Sequence, residues 1–111
     1  MRELESSRDV IIRTADWQEA VRFYGEILGF KVSSRADGMV GFETGSFCLY
    51  VERGAAHGPV FDFLVSDVPA TRDRLLAAGC TLVEENPQLP RCYLRDPHGL
   101  VFNLGRKSGA A

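Results

Sequence analysis

The chain predicts an α+β fold of two tandem βαβββ modules, whose strands form a curved, half-closed, barrel-like mixed sheet around a cleft. Three observations predict it. Val10-Ile11-Ile12-Arg13-Thr14-Ala15-Asp16 and Phe61-Asp62-Phe63-Leu64-Val65-Ser66-Asp67 are strand-like runs that both end in Asp, and the two Asp residues stand 51 positions apart. Each Asp opens a short amphipathic segment that stops at a glycine, Gly29 or Gly79. Each glycine is followed by three more short β-rich runs separated by turn residues.

The elements follow in order. Residues 9–15 are rich in Val and Ile and read as a strand. Asp16 is placed to cap the next helix, its carboxylate accepting from the free N–H groups of the first turn. Trp17, Val21, Tyr24 and Leu28 recur at helical spacing, with Phe23 and Ile27 beside them. Residues 30–34 form a second strand, Asp37-Gly38 is a hairpin signal, and residues 39–43 and 47–52 complete the first module. Gly54 to Pro59 connects. Residues 60–66 begin the second module and Asp67 again suits a helix start. Pro69 fits a first helical turn because its missing N–H has no partner there. Strands over 80–84, 91–95 and 100–104 finish it, with Asp96-Pro97-His98-Gly99 as a tight turn and a frayed tail from Arg106. The modules are 9–52 and 60–105 of a single domain, 1–111.

Composition narrows the class. Hydrophobic residues make up 45% and charged residues 25%, an ordinary globular balance. A formal net charge of -2 argues against nucleic acid, whose phosphates call for a concentrated positive face. There is no apolar run of 18 residues to span a membrane and no apolar core in the first residues to act as a secretory signal. Cys48, Cys80 and Cys92 are odd in number and widely spaced, which suits reduced thiols and a cytoplasmic location rather than a disulfide framework. A helix covers only one face of each four-stranded sheet, so the other face invites pairing, and a homodimer is expected.

Three stretches together resemble the vicinal oxygen chelate superfamily, the glyoxalase, bleomycin-resistance and extradiol-dioxygenase group. They are Asp16 through Ala20-Val21-Arg22-Phe23-Tyr24, then Ile27-Leu28-Gly29-Phe30, then Tyr93-Leu94-Arg95-Asp96-Pro97-His98-Gly99. The resemblance covers residues 9–105. It implies metal ligands seven residues before each helix-opening Asp and seven beyond the Asp of the Asp-Pro turn. Those positions hold Asp9, Val60 and Asn103. Valine cannot ligate and the expected glutamate is an amide, while Cys48 or Tyr50 would stand on the first module's last strand. A catalytic metal needs about three protein ligands and an open position, so neither a metal nor another cofactor is expected.

Strand alternation then sorts the lining. Asp9, Ile11 and Arg13 share one face, as do Val60, Asp62, Leu64 and Ser66, with Phe61, Phe63 and Val65 turned toward the helix. The expected ligand-binding residues are Arg13, Tyr50, Asp62, Arg91, Tyr93 and Asn103. Arginines grip an acidic group through paired N–H bonds and tyrosines stack on a ring; equally, Arg13 and Asp62 could pair and only brace the sheet. No catalytic residue stands out, and whether the chain is an enzyme is left open. The expectation is a bleomycin-resistance-like protein that binds a small molecule without metal-dependent catalysis. The alternative is a metal-dependent lyase, isomerase or dioxygenase with an atypical ligand set.

Overall fold

The computed structural model describes residues 4–107. They divide into two compact units, Arg8–Val60 and residues 4–7 with 61–107.

The first unit follows the order strand, helix, three strands. β1 (Glu5–Thr14) leads into α1 (Trp17–Arg22), which runs on as a π turn over Phe23–Ile27; β2 (Lys31–Ala36), β3 (Met39–Glu43) and β4 (Cys48–Arg53) follow. The sheet order is β2-β3-β4-β1. β1 and β4 lie parallel from Asp9↔Cys48 to Thr14↔Arg53, and the other pairs are antiparallel. Alternation puts Val40, Phe42, Leu49 and Val51 on one face, all buried, where Ile12, Trp17, Ala20, Val21 and Tyr24 pack on them. The Tyr24 and Phe42 rings meet at 6.1 Å.

The second unit repeats the plan with β5 (His57–Val65, whose first residues belong to the first unit), α2 (Val68–Ala77), β6 (Thr81–Asn86), β7 (Arg91–Arg95) and β8 (Val101–Arg106). Its order is β5-β8-β7-β6, with β5 and β8 parallel from Phe61↔Phe102 to Val65↔Arg106. Val65, Cys92, Leu94, Phe102 and Leu104 form its core against Val68, Leu75 and Leu76 of α2.

The two helices start differently. Asp67 caps α2, its Oδ1 accepting from the Ala70 N–H at 3.0 Å, with extended backbone at φ -135°, ψ 99°. Asp16 does not cap α1, contrary to expectation. Its backbone sits at φ -87°, ψ 53°, away from the extended geometry that aims a capping carboxylate at the first turn, and its own N–H donates to Thr14 Oγ1. The helices also differ in length. From Asp16 to Gly29 is 13 residues and from Asp67 to Gly79 is 12. The π turn absorbs the extra residue, with the Leu28 N–H reaching the Phe23 carbonyl at 3.0 Å, five residues back. Both stop glycines hold positive φ, +77° at Gly29 and +110° at Gly79.

Other expectations are corrected. The half-closed, barrel-like curvature is absent: β2 and β6 each have one hydrogen-bonded neighbour and remain open edges, so the sheet is neither closed nor strongly curled. Both edge strands carry a register irregularity, at Val32/Ser34 and at Leu82/Glu84. Phe63 and Val65 pack toward the helix as expected, but Phe61 is 39% exposed. β1 starts at Glu5 and β5 at His57, each earlier than expected, because backbone pairing extends past the β-branched runs. At the far end, the Lys107 N–H donates to the Val65 carbonyl, so the strand holds through the start of the expected frayed tail; residues 108–111 lie outside the described part. Among the described residues no helix is long and apolar enough to cross a membrane.

Phe42 and Leu94 are fully buried in the separate cores. Phe42→Ala and Leu94→Ala are each expected to cost about 3–4 kcal/mol of unfolding free energy in urea titrations. Fluorescence of the single tryptophan, Trp17, reports the first unit directly.

Candidate functional site

The expected site residues fall on the faces of the two sheets that point away from the helices. In the second unit they form a connected polar chain. Asp62 and Asn103 are register partners on the parallel β5–β8 pair. Asn103 Nδ2 donates to Asp62 Oδ1 at 2.9 Å, while its Oδ1 accepts the Cys92 backbone N–H at 2.9 Å. Ser7 Oγ donates to the other Asp62 oxygen at 2.8 Å. An amide performs this task because it donates and accepts at once; a glutamate or aspartate at position 103 could not donate to Asp62. Beside this chain, Tyr93 is buried at 3% exposure and pairs with Asn103 across β7–β8. The Arg91 guanidinium lies 5.2 Å from the Tyr93 ring centroid and bonds Glu84 at 2.8 Å.

In the first unit Arg13 pairs with Glu52, its register partner, at 3.4 Å. Both side chains are mostly covered, at 15% and 19% exposure. Tyr50 stands opposite Ile11 on β1 and Gly41 on β3. A Cβ at position 41 would lie 2.8 Å from the Tyr50 ring and 2.6 Å from Ser34 Oγ, so glycine lets the phenol lie across the strand. Burial pushes the Tyr50 phenol above its ordinary value, and Asp9 adds to the shift, so it remains a hydrogen-bond donor at neutral pH. At the rim, Arg8 bonds Glu43 at 2.7 Å and, with the Gly45 N–H, holds that carboxyl below the usual range.

Sequence reasoning named Arg13, Tyr50, Asp62, Arg91, Tyr93 and Asn103 but missed the groups that hold them. Glu52 and Glu84 are the counter-ions and Ser7 completes the chain on Asp62. Ser7 was missed because the strand was expected to begin at residue 9; it shares the Asp9 face only because β1 extends back to Glu5. The glutamates were not legible, because cross-strand pairing depends on register.

The metal ligands implied by the resemblance do not fit. Val60 is buried and carries no donor. The Asn103 oxygen is taken by a backbone N–H and its nitrogen by Asp62. Asp9 stands opposite Cys48, whose thiol bonds Glu43 at 3.5 Å. Among the described residues no group of three or more His, Cys, Asp or Glu is placed to hold a metal ion. Nor is a thiol activated. Burial pushes Cys48, Cys80 and Cys92 upward, with further contributions from Glu43, Asp96 and Glu85 respectively, so each stays protonated at neutral pH.

Two outcomes are expected. Asn103→Asp removes the donor to Asp62 and sets two carboxylates against each other. It should cost about 1–3 kcal/mol at pH 7, as read by urea titrations of the two proteins. Iodoacetamide should label the native thiols more slowly than free cysteine at pH 7, accelerating as pH rises through the elevated thiol range, as followed by intact mass.

Comparison with known proteins agrees with the fold. A family model for the glyoxalase-like domain matches residues 9–105. No curated protein matches the sequence. Among solved structures, a hypothetical protein from Bacillus halodurans superposes with a TM-score of 0.66 at 11% identity, over 99% of both chains. A glyoxalase/bleomycin resistance protein/dioxygenase superfamily member from Vibrio splendidus gives 0.63 at 17%, over 93% of this chain and 100% of that one. The Mn(II)-bound glyoxalase from Novosphingobium aromaticivorans gives 0.63 at 19%, with 96% of this chain spanning 40% of that one. At these identities the superpositions speak for the fold alone, while the family match covers most of the chain with its repeated strand-helix frame: the protein belongs to the glyoxalase-like domain family of the vicinal oxygen chelate superfamily.

Proposed function

We propose that this protein binds a small ring-containing organic acid and releases it unchanged, in the manner of the bleomycin-resistance-like branch of the superfamily. The observation that carries this reading is the commitment of Asn103. Its amide is spent on Asp62 and on the Cys92 N–H, at the position where the resemblance implies a metal-binding carboxylate. What these faces offer instead is recognition chemistry. Arg91 over Tyr93 presents a cation and a ring together. Tyr50 is kept protonated as a donor. The proposed binding residues are Arg13, Tyr50, Asp62, Arg91, Tyr93 and Asn103, in a cytoplasmic homodimer. A role in antibiotic resistance would follow from sequestration of such a compound.

Equilibrium dialysis against aromatic carboxylic acids tests the reading. Saturable binding is expected, with the compound recovered intact by mass spectrometry. Arg91→Ala should weaken it by about tenfold, the worth of one charge-assisted hydrogen bond. Tyr50→Phe should weaken it less. Conversion of the compound by protein loaded with a divalent metal, with stoichiometric metal retained, would overturn the reading in favour of an enzyme with an atypical ligand set.

A further inference from the structure

The duplication gives each module's residues counterparts in the other. Trp17 follows Asp16 as the first residue of α1, and Val68 follows Asp67 as the first residue of α2. β4 and β8 share the same alternation of burial, so Val51 and Arg53 on β4 answer to Leu104 and Arg106 on β8. The closing hydrogen bonds correspond as well: the Gly54 N–H donates to the Thr14 carbonyl, and the Lys107 N–H to the Val65 carbonyl.

In the first module this corner holds an indole, and a groove of 310 Å³ bounded by Asp16, Trp17 and Arg53 lies beside it. Trp17 packs on the core, its ring N–H donates to the Val51 carbonyl at 2.8 Å, and the Arg53 guanidinium sits 5.4 Å from its ring centroid. In the second module valine replaces tryptophan and the corner is open. A cleft of 330 Å³ lies there, with Val68, Leu104 and Arg106 among its walls and the buried Cys92 beside them. That volume is at the small end of ligand sites, enough for one bicyclic ring.

A second observation shows why the cleft opens. In the first module the β3–β4 ladder continues through Val40↔Val51 to Met39↔Glu52. In the second, the β7–β8 pairs run from Arg95↔Val101 only to Tyr93↔Asn103. The Cys92 N–H is taken instead by the Asn103 side chain, so β7 leaves β8 where the cleft begins. Pro69, Pro87 and Pro90 contribute walls of restricted backbone, which limits the ordering cost of binding. Val68, Cys92 and Leu104 bring the helix-side core to the cleft, and Arg91, whose guanidinium stands over Tyr93, also forms part of its wall.

We propose that this cleft is a binding site for a free planar bicyclic aromatic of indole size with a ring N–H. The ring takes the place that Trp17 holds in the other module. Its N–H donates to the Leu104 carbonyl and the Arg106 guanidinium covers its face.

The test uses indole and 1-methylindole, titrated into the full chain and followed by amide chemical shifts. Indole is expected to produce saturable shifts confined to residues near 68–72, 85–92 and 104–106. 1-Methylindole, which has the same ring but no N–H, should bind about tenfold more weakly, as expected for one lost hydrogen bond. Val68→Trp should fill the cleft and abolish binding while the remaining spectrum keeps its dispersion. Arg106→Ala should weaken binding without occupying the cleft, which covers the case of a Val68→Trp variant that does not fold. Equal affinity for the two indoles, shifts outside the cleft, or binding that survives in Val68→Trp would overturn the proposal. So would shifts at the cleft that follow protein concentration instead of indole, since they assign the surface to a second copy.

Discussion

The parallel pairing of the first and last strands in each module is the constraint on which the other features depend. Parallel neighbours cannot be joined by a tight turn, so the chain must travel between them over a helix and two further strands. That path makes the βαβββ unit, lays the helix on one face, and places β1–β4 and β5–β8 where side chains meet in fixed register. The Arg13–Glu52 and Asp62–Asn103 contacts are both register pairs of these parallel strands. The polar chemistry of the protein is thus set by backbone pairing as much as by residue choice.

The duplication acts as an internal control. Where the modules agree, as in the stop glycines, the parallel ladders and the burial alternation of β4 and β8, the shared feature is what the fold requires. Where they differ, the difference has a local cause. One extra residue becomes a π turn in the first helix. An asparagine side chain competes with the ladder in the second sheet and ends it early. Tryptophan in one corner sets an indole on the core where valine in the other leaves a cleft against it.

Most of the frame was legible in the sequence because it rests on short-range signals. The strand runs are β-branched, the helices end in glycine, and Asp67 caps as its position suggests. Asp16 looked identical and does not cap, because capping depends on backbone angles that the residue type does not encode. The open sheet was misread as barrel-like, since alternation specifies which face is buried but not how far strands curl. At the site, the face of each residue was readable from strand parity, whereas the counter-ions were not. The identity of Arg13's partner depends on which residue of β4 lies opposite, and a shift of one position would replace Glu52 by a different side chain.

The register irregularities of β2 and β6 have a consequence for how the protein behaves when crowded. An open strand edge is a template on which another chain can add, and long flat edges seed fibrous assemblies. Here both exposed edges are interrupted at matching places, Val32/Ser34 and Leu82/Glu84, and each also carries charge, Lys31 and Arg35 on one, Glu84 and Glu85 on the other. The interruptions break the regular row of donors and acceptors that an incoming strand would match. An unclosed sheet therefore carries its own protection against growth by strand addition, and the molecule keeps two free borders without becoming sticky at either.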